Sequence, residues 1–120
     1  MIRILLVDDE PMILDVGSQM LEVLGYHVQV ESSGGNCLSA LLREPYDLLI
    51  LDYNLDDMNA QQIVEKIIEY QLPVCIIISS GTPNQSLGDT QLDKRISGFL
   101  NKPFKIEELE QIVLQVVKKR

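Results

Sequence analysis

Residues 47–52 read Asp-Leu-Leu-Ile-Leu-Asp, four consecutive aliphatic side chains closed by a carboxylate. A strand with one wet face would alternate apolar and polar residues, whereas so short an uninterrupted run suits a parallel strand covered on both faces. The predicted strand is Asp47–Leu51, and similar apolar runs recur at Ile2–Val7, Val28–Val30, Val74–Ser79 and Gly98–Leu100. Between them lie segments with helical spacing, Pro11–Leu24, Asn36–Arg43, Ala60–Tyr70 and Ile106–Lys119. A fourth crossover falls within Pro83–Arg95, a polar stretch that carries Gly88. The order βαβαβαβαβα predicts a single α/β domain over residues 1–120, built on one doubly wound parallel sheet.

Local signals set the boundaries. Pro11 suits the first helical turn, where its missing N–H removes no bond, and Gly25 ends that helix. Asp9 and Glu10 sit at its positive end. Asn59-Ala60-Gln61-Gln62 fits a capping box opening the third helix. Lys118, Lys119 and Arg120 complement the negative end of the last helix or begin a linker. In the first helix Met12, Ile13, Leu14 and Val16 are more apolar than one stripe can bury. Val16, Met20 and Leu24 account for a core face, so part of the remainder is expected at the surface.

Composition narrows the function classes. At 120 residues the chain has the size of one domain, with 46% hydrophobic and 23% charged residues. The net charge of −8 disfavours nucleic acid and anionic membranes as partners. No apolar run reaches the roughly 18 residues of a membrane span, and the N-terminus makes a poor signal peptide, so a cytoplasmic location is expected. Cys37 and Cys75 lack metal-ligand spacing, and Cys75, inside an apolar run, reads as a buried core thiol. His27, between Tyr26 and Val28, reads as a structural histidine.

The chemistry sits at the strand ends. In parallel α/β sheets ligands bind beyond the carboxyl ends of the strands, where the winding reverses. Here the first strand ends in Asp8, Asp9 and Glu10, the third in Asp52, and the fourth in Ser79 and Ser80; the fifth is followed by Asn101 and Lys102. Carboxylates gathered in a water-poor place need raised pKa values or a cation, and an all-oxygen set suits a hard divalent ion, Mg2+ or alternatively Mn2+. A lone strand-end Asp is usually a helix cap. Acid, acid, hydroxyl and ammonium on four strand ends instead match phosphoryl chemistry, with a carboxylate nucleophile, a metal, a hydroxyl donor and a point positive charge.

Through Leu6-Val7-Asp8-Asp9-Glu10, Leu49-Ile50-Leu51-Asp52, Ile78-Ser79-Ser80-Gly81 and Gly98-Phe99-Leu100-Asn101-Lys102-Pro103-Phe104, the chain resembles the receiver domain of bacterial response regulators along its whole length. The resemblance implies a flavodoxin-like (βα)5 fold with strand order 2-1-3-4-5. It implies that Asp52 is the phosphoacceptor, that Asp8 and Asp9 position Mg2+ with Asp52 and the backbone carbonyl of Asn54, and that Lys102 contacts the phosphoryl group. Ser80 takes the hydroxyl role, with Ser79 as the alternative, and Phe99 reports phosphorylation to the surface. The implied partners are a histidine kinase or a histidine phosphotransfer protein as donor, and an output domain or protein. Where the family often has a proline and then a glycine after the phosphoacceptor, this chain has Asp56 and Ala60. Asp56 and Asp57 read as exposed turn residues.

Three rival functions stand beside this one. A degenerate receiver that binds partners without phosphorylation is disfavoured by the intact Asp8, Asp9, Asp52, Ser80 and Lys102. A flavin-binding electron carrier of the same winding would place neutral donors, not Asp8-Asp9-Glu10, after its first strand. An aspartyl phosphatase would carry its nucleophile on the first strand. Slow self-dephosphorylation is the one enzyme-like activity expected.

Overall fold

In a computed structural model describing residues 1–81 and 86–118, the five strands form one parallel sheet in the order 2-1-3-4-5. In chain order the elements are β1 (Arg3–Val7), α1 (Pro11–Val23), β2 (His27–Glu31), α2 (Gly34–Arg43), β3 (Leu48–Asp52), α3 (Ala60–Glu69), β4 (Cys75–Ser80), α4 (Thr90–Asp93), β5 (Ile96–Asn101) and α5 (Ile106–Lys118). The aliphatic run Leu48–Leu51, closed by Asp52, is the central strand. All five residues of β3 are buried, flanked by β1 through Val7↔Leu51 and by β4 through Asp52↔Ser79.

Alternation along the strands sorts the core into two layers. Ile4, Leu6, Leu48, Ile50, Ile77 and Leu100 pack with Leu21 of α1 and with Leu109, Val113 and Val116 of α5. Leu5, Val7, Leu49, Leu51, Ile76 and Ile78 pack on the opposite face with Cys37 and Ala40 of α2 and with Ile63, Val64 and Ile67 of α3. The short apolar runs are therefore continuous because each successive side chain enters a different core. The edge strand β2 is largely exposed, and His27 lies on its surface rather than inside the fold.

The expected capping box is present: Asn59 Oδ1 accepts the Gln62 N–H at 2.9 Å and Gln62 Oε1 accepts the Asn59 N–H at 3.0 Å. Strand ends shift by one or two residues from the expected bounds, and other details differ more. Helix α2 begins at Gly34, two residues early, because Ser33 Oγ caps it by accepting the Asn36 N–H at 3.1 Å. Within α1 the buried residues are Gly17 and Leu21, while Val16, expected in the core, is 43% exposed. Gly17 is the reason: a Cβ there would stand 2.9 Å from Leu6 Cδ2 and 3.5 Å from the Phe104 ring, so the helix rests on the sheet by its bare glycine. Cys75 is half-buried, whereas Cys37 is enclosed, and burial foremost pushes its thiol up to about 12. The fourth crossover supplies a four-residue helix, capped by Asp89, which accepts from Gln91 and Leu92. Pro83, where that crossover was expected to begin, lies outside the described residues. No described helix is long and apolar enough to cross a membrane.

Candidate phosphoryl-transfer site

The alternation that builds the core also aims the polar strand ends. Asp8 continues the parity of Ile4 and Leu6, Asp52 that of Leu48 and Ile50, and Lys102 that of Leu100, so all three belong to the face covered by α1 and α5. Lys102 joins them. Its Nζ donates to Asp8 Oδ2 at 3.1 Å and to Asp52 Oδ1 at 3.0 Å, and stands 3.7 Å from Glu10 Oε1. The Lys102 backbone N–H donates to the Ser80 carbonyl at 2.8 Å, which fixes where the side chain begins.

Burial makes the charge balance matter. Asp8 is 0% exposed and Asp52 5% exposed. Burial pushes the Asp52 carboxyl above the ordinary Asp range; the Lys102 hydrogen bond pulls it back and the Asp8 charge pushes it up further. On Lys102 burial works against the ammonium, but the hydrogen bonds and charges of Asp52 and Asp8 outweigh it and raise the group above its usual value. Asp8 Oδ1 also accepts the Glu10 N–H at 2.9 Å, which orients the other oxygen toward Lys102.

Oxygen atoms of Asp8, Asp9 and Glu10 can all lie within 4.8 Å of one another. Three carboxylates, Asp8, Glu10 and Asp52, thus lie within 4 Å of one ammonium, and Asp9 adds a fourth negative charge beside Asp8 and Glu10, an excess that fits a hard divalent cation held by oxygen. Asp52 stands beside this trio and is tied to it through Lys102. Glu10, which the sequence places at the positive end of the first helix and not in the expected metal set, is the third member of this group. A cleft of about 370 Å3, lined by Glu10, Ile13, Gly81, Lys102 and Pro103, opens the site to solvent.

The remaining expected residues fall around this centre. Asn54 donates its backbone N–H to Asp52 and pairs in an isolated bridge with Asn59. Ser79 pairs with Asp52 and, by alternation, lies on the Asp52 face; Ser80 lies on the other face, two residues beyond Ile78, the partner of Phe99. Both serines are buried. Phe99 is half-buried against the core of α2 and α3.

Asp56 and Asp57 are exposed, as expected of turn residues. Asp57 does more: its two oxygens accept the N–H groups of Gly34 and Gly35 at 2.9 and 3.0 Å, pinning the loop after Asp52 to the start of α2. Those bonds, Gly34 first, hold its carboxyl below the usual range. No sequence signal links residues so far apart.

Fold and site together define a doubly wound α/β domain that gathers carboxylates and a lysine at the carboxyl edge of its sheet. The chain belongs to the response regulator receiver domain family, which it matches over residues 4–114. It is 34% identical over 113 residues to the transcriptional regulatory protein GlrR of Escherichia coli, an alignment covering 92% of this chain and 25% of that protein. It therefore spans about a quarter of the length of that relative. Among solved structures it is similar to a CheY-like response regulator receiver domain protein of Methanospirillum hungatei, with TM-score 0.86 and 28% identity over 99% of this chain and 96% of that one. The response regulator TrrA of Thermotoga maritima, solved in complex with Mg(2+)-BeF, superposes with TM-score 0.84 at 25% identity over 97% of this chain and 99% of that one. As a receiver domain of the two-component class, the chain is a signalling switch rather than a conventional enzyme.

Proposed function

We propose that this receiver takes a phosphoryl group on Asp52 from the phosphohistidine of a histidine kinase or histidine phosphotransfer protein, and alters its surface in response. The observation that carries the reading is Lys102 Nζ held between the two buried carboxylates of Asp8 and Asp52, at the mouth of an open cleft. An Asp52 oxygen attacks phosphorus, the P–N bond breaks, and its electron pair leaves on the donor imidazole, giving an acyl phosphate. Asp8, Asp9 and Asp52, with the Asn54 backbone carbonyl and Glu10 nearby, would hold Mg2+, which supplies positive charge against the phosphoryl oxygens. Lys102 then exchanges a carboxylate partner for a phosphoryl oxygen, an interaction that differs between the two states and so can shift the equilibrium between them.

Ser80 is the better candidate for the coupling hydroxyl, because it shares the Phe99 face. Its movement toward the phosphoryl group would open room into which the Phe99 ring turns. The donor would dock on the first helix, where Met12 is 75% exposed. Met12, Ile13, Val16, Gly17, Pro103 and Phe104 line an apolar hollow of about 160 Å3 there. Slow hydrolysis of the acyl phosphate resets the switch. The output partner lies outside these 120 residues or binds them.

The test is intact-mass analysis after incubation with acetyl phosphate and Mg2+. Wild type should gain one phosphoryl group and Asp52→Asn none; equal gain by both proteins would refute the assignment.

A further inference from the structure

Beyond Ser80 and Phe99, a second physical link runs from the strand that carries Asp52 to the fourth helix. Tyr53 follows Asp52 directly, and its backbone is held at both ends. Its N–H donates to the Ser79 carbonyl at 2.9 Å, and its carbonyl accepts the Ala60 N–H at 3.0 Å. The ring is half-buried against the core of α2 and α3. Its Oη donates to the Ser86 carbonyl at 3.0 Å.

Ser86 is the first member of a compact polar unit. Its Oγ donates to Asp93 Oδ2 at 2.8 Å and accepts the Gly88 N–H at 3.0 Å, while the Leu87 N–H donates to Asp93 Oδ1 at 2.9 Å. Gly88 turns the chain at φ +83°, and Asp89 caps the four residues of α4. One turn of helix is not stable by itself. The place of this unit is set by Leu87 and Leu92 in the core and by its polar tethers.

We propose that Tyr53 is a positioning residue that clamps the segment leading into α4 to the loop after Asp52, so that phosphorylation is read out at α4 through Tyr53 Oη. The readout half rests on Asp52 being the phosphoacceptor; the clamp does not. The geometry makes the clamp sensitive. A hydrogen bond of 3.0 Å weakens once its oxygens part by about 1 Å, and the residue bonded next to Asp52 cannot stay fixed if that loop rearranges. A displacement of that size is enough to release the segment, which suits a two-state device.

Tyr53→Phe removes the hydroxyl and keeps the ring. Without any phosphodonor, hydrogen exchange at the Leu87 and Gly88 amides should be roughly fivefold faster in Tyr53→Phe, the effect of one lost hydrogen bond. With acetyl phosphate and Mg2+, amide shift changes over Leu87–Leu92 should fall below half of their wild-type size while those at Phe99 persist. Unchanged exchange at Leu87 and Gly88 overturns the clamp. An unchanged α4 response, or equal loss at α4 and Phe99, overturns the readout. If wild type takes no phosphoryl group at all, the proposed function fails and the readout with it, and the exchange comparison still decides the clamp.

Discussion

Replacing Asp52 by Asn should make the protein more stable when no divalent cation is present. Asp8 and Asp52 oxygens each lie near 3 Å from the same nitrogen, so they are at most about 6 Å apart. At an effective dielectric constant of about 20 their repulsion is roughly 3 kcal/mol, against an attraction of roughly 5 kcal/mol between Asp52 and Lys102. Desolvation of the buried carboxylate adds several kcal/mol of cost. The costs outweigh the gain by an amount on the order of 1 kcal/mol, the same direction as the raised Asp52 carboxyl. Asparagine keeps an acceptor for Lys102, so Asp52→Asn should melt roughly 4 °C higher at neutral pH in EDTA. The sign of the pH dependence follows. With the folded pKa above the unfolded one, the protonated acid is favoured in the native state, and the deficit of wild type is full above the folded value. It should close as pH falls toward about 4, the ordinary Asp range. Mg2+ at ten times its dissociation constant should return roughly 1.4 kcal/mol to wild type and less to the variant. Calorimetry at both pH values, with and without Mg2+, reads all of this. A variant melting at or below wild type in EDTA at neutral pH, or a gap that persists in acid, would refute the reasoning.

Other outcomes follow from neighbouring contacts. Lys102→Ala strands two buried carboxylates and should cost about 3 kcal/mol by urea titration in EDTA, with part of the loss restored by Mg2+; no loss would contradict the bridging role. Asp57→Ala removes the acceptors for the Gly34 and Gly35 N–H groups, and the effect on urea stability should be about 1 kcal/mol, as for a lost helix cap. Because the Asp57 carboxyl is depressed, its contribution should be present above the unfolded Asp value and disappear as pH falls through the folded one; a constant difference at all pH values would exclude it. Ser80→Ala should block the phosphorylation response of the Phe99 ring signals while Ser79→Ala leaves it; the reverse result would assign the coupling to Ser79.

Much of this molecule was legible because period-2 alternation and strand ends carry strong signals. Once Ile4, Leu6, Leu48 and Ile50 share a face, Asp8 and Asp52 must converge, and the Leu100-Asn101-Lys102 continuation brings in the ammonium. What stayed hidden has physical causes. The seat of α1 is Gly17, a residue with no hydrophobic signal, so Val16 looked like the better core position. Ser33 caps α2 ahead of two glycines that weigh against a helix when read locally. Asp57 finds its partners on another element, and the Tyr53 hydroxyl finds its partner in a polar loop. Neither pairing leaves a pattern in the chain.

The central claim is an acyl phosphate at one carboxyl group, and its chemistry allows a direct reading. Borohydride reduces an aspartyl phosphate to homoserine, leaving free carboxylates untouched. After treatment with acetyl phosphate and Mg2+, reduction and peptide sequencing by mass spectrometry, homoserine should appear at position 52 and nowhere else. Homoserine at position 8, 9, 56 or 57 instead, or at no position in a fully folded sample, would contradict the account.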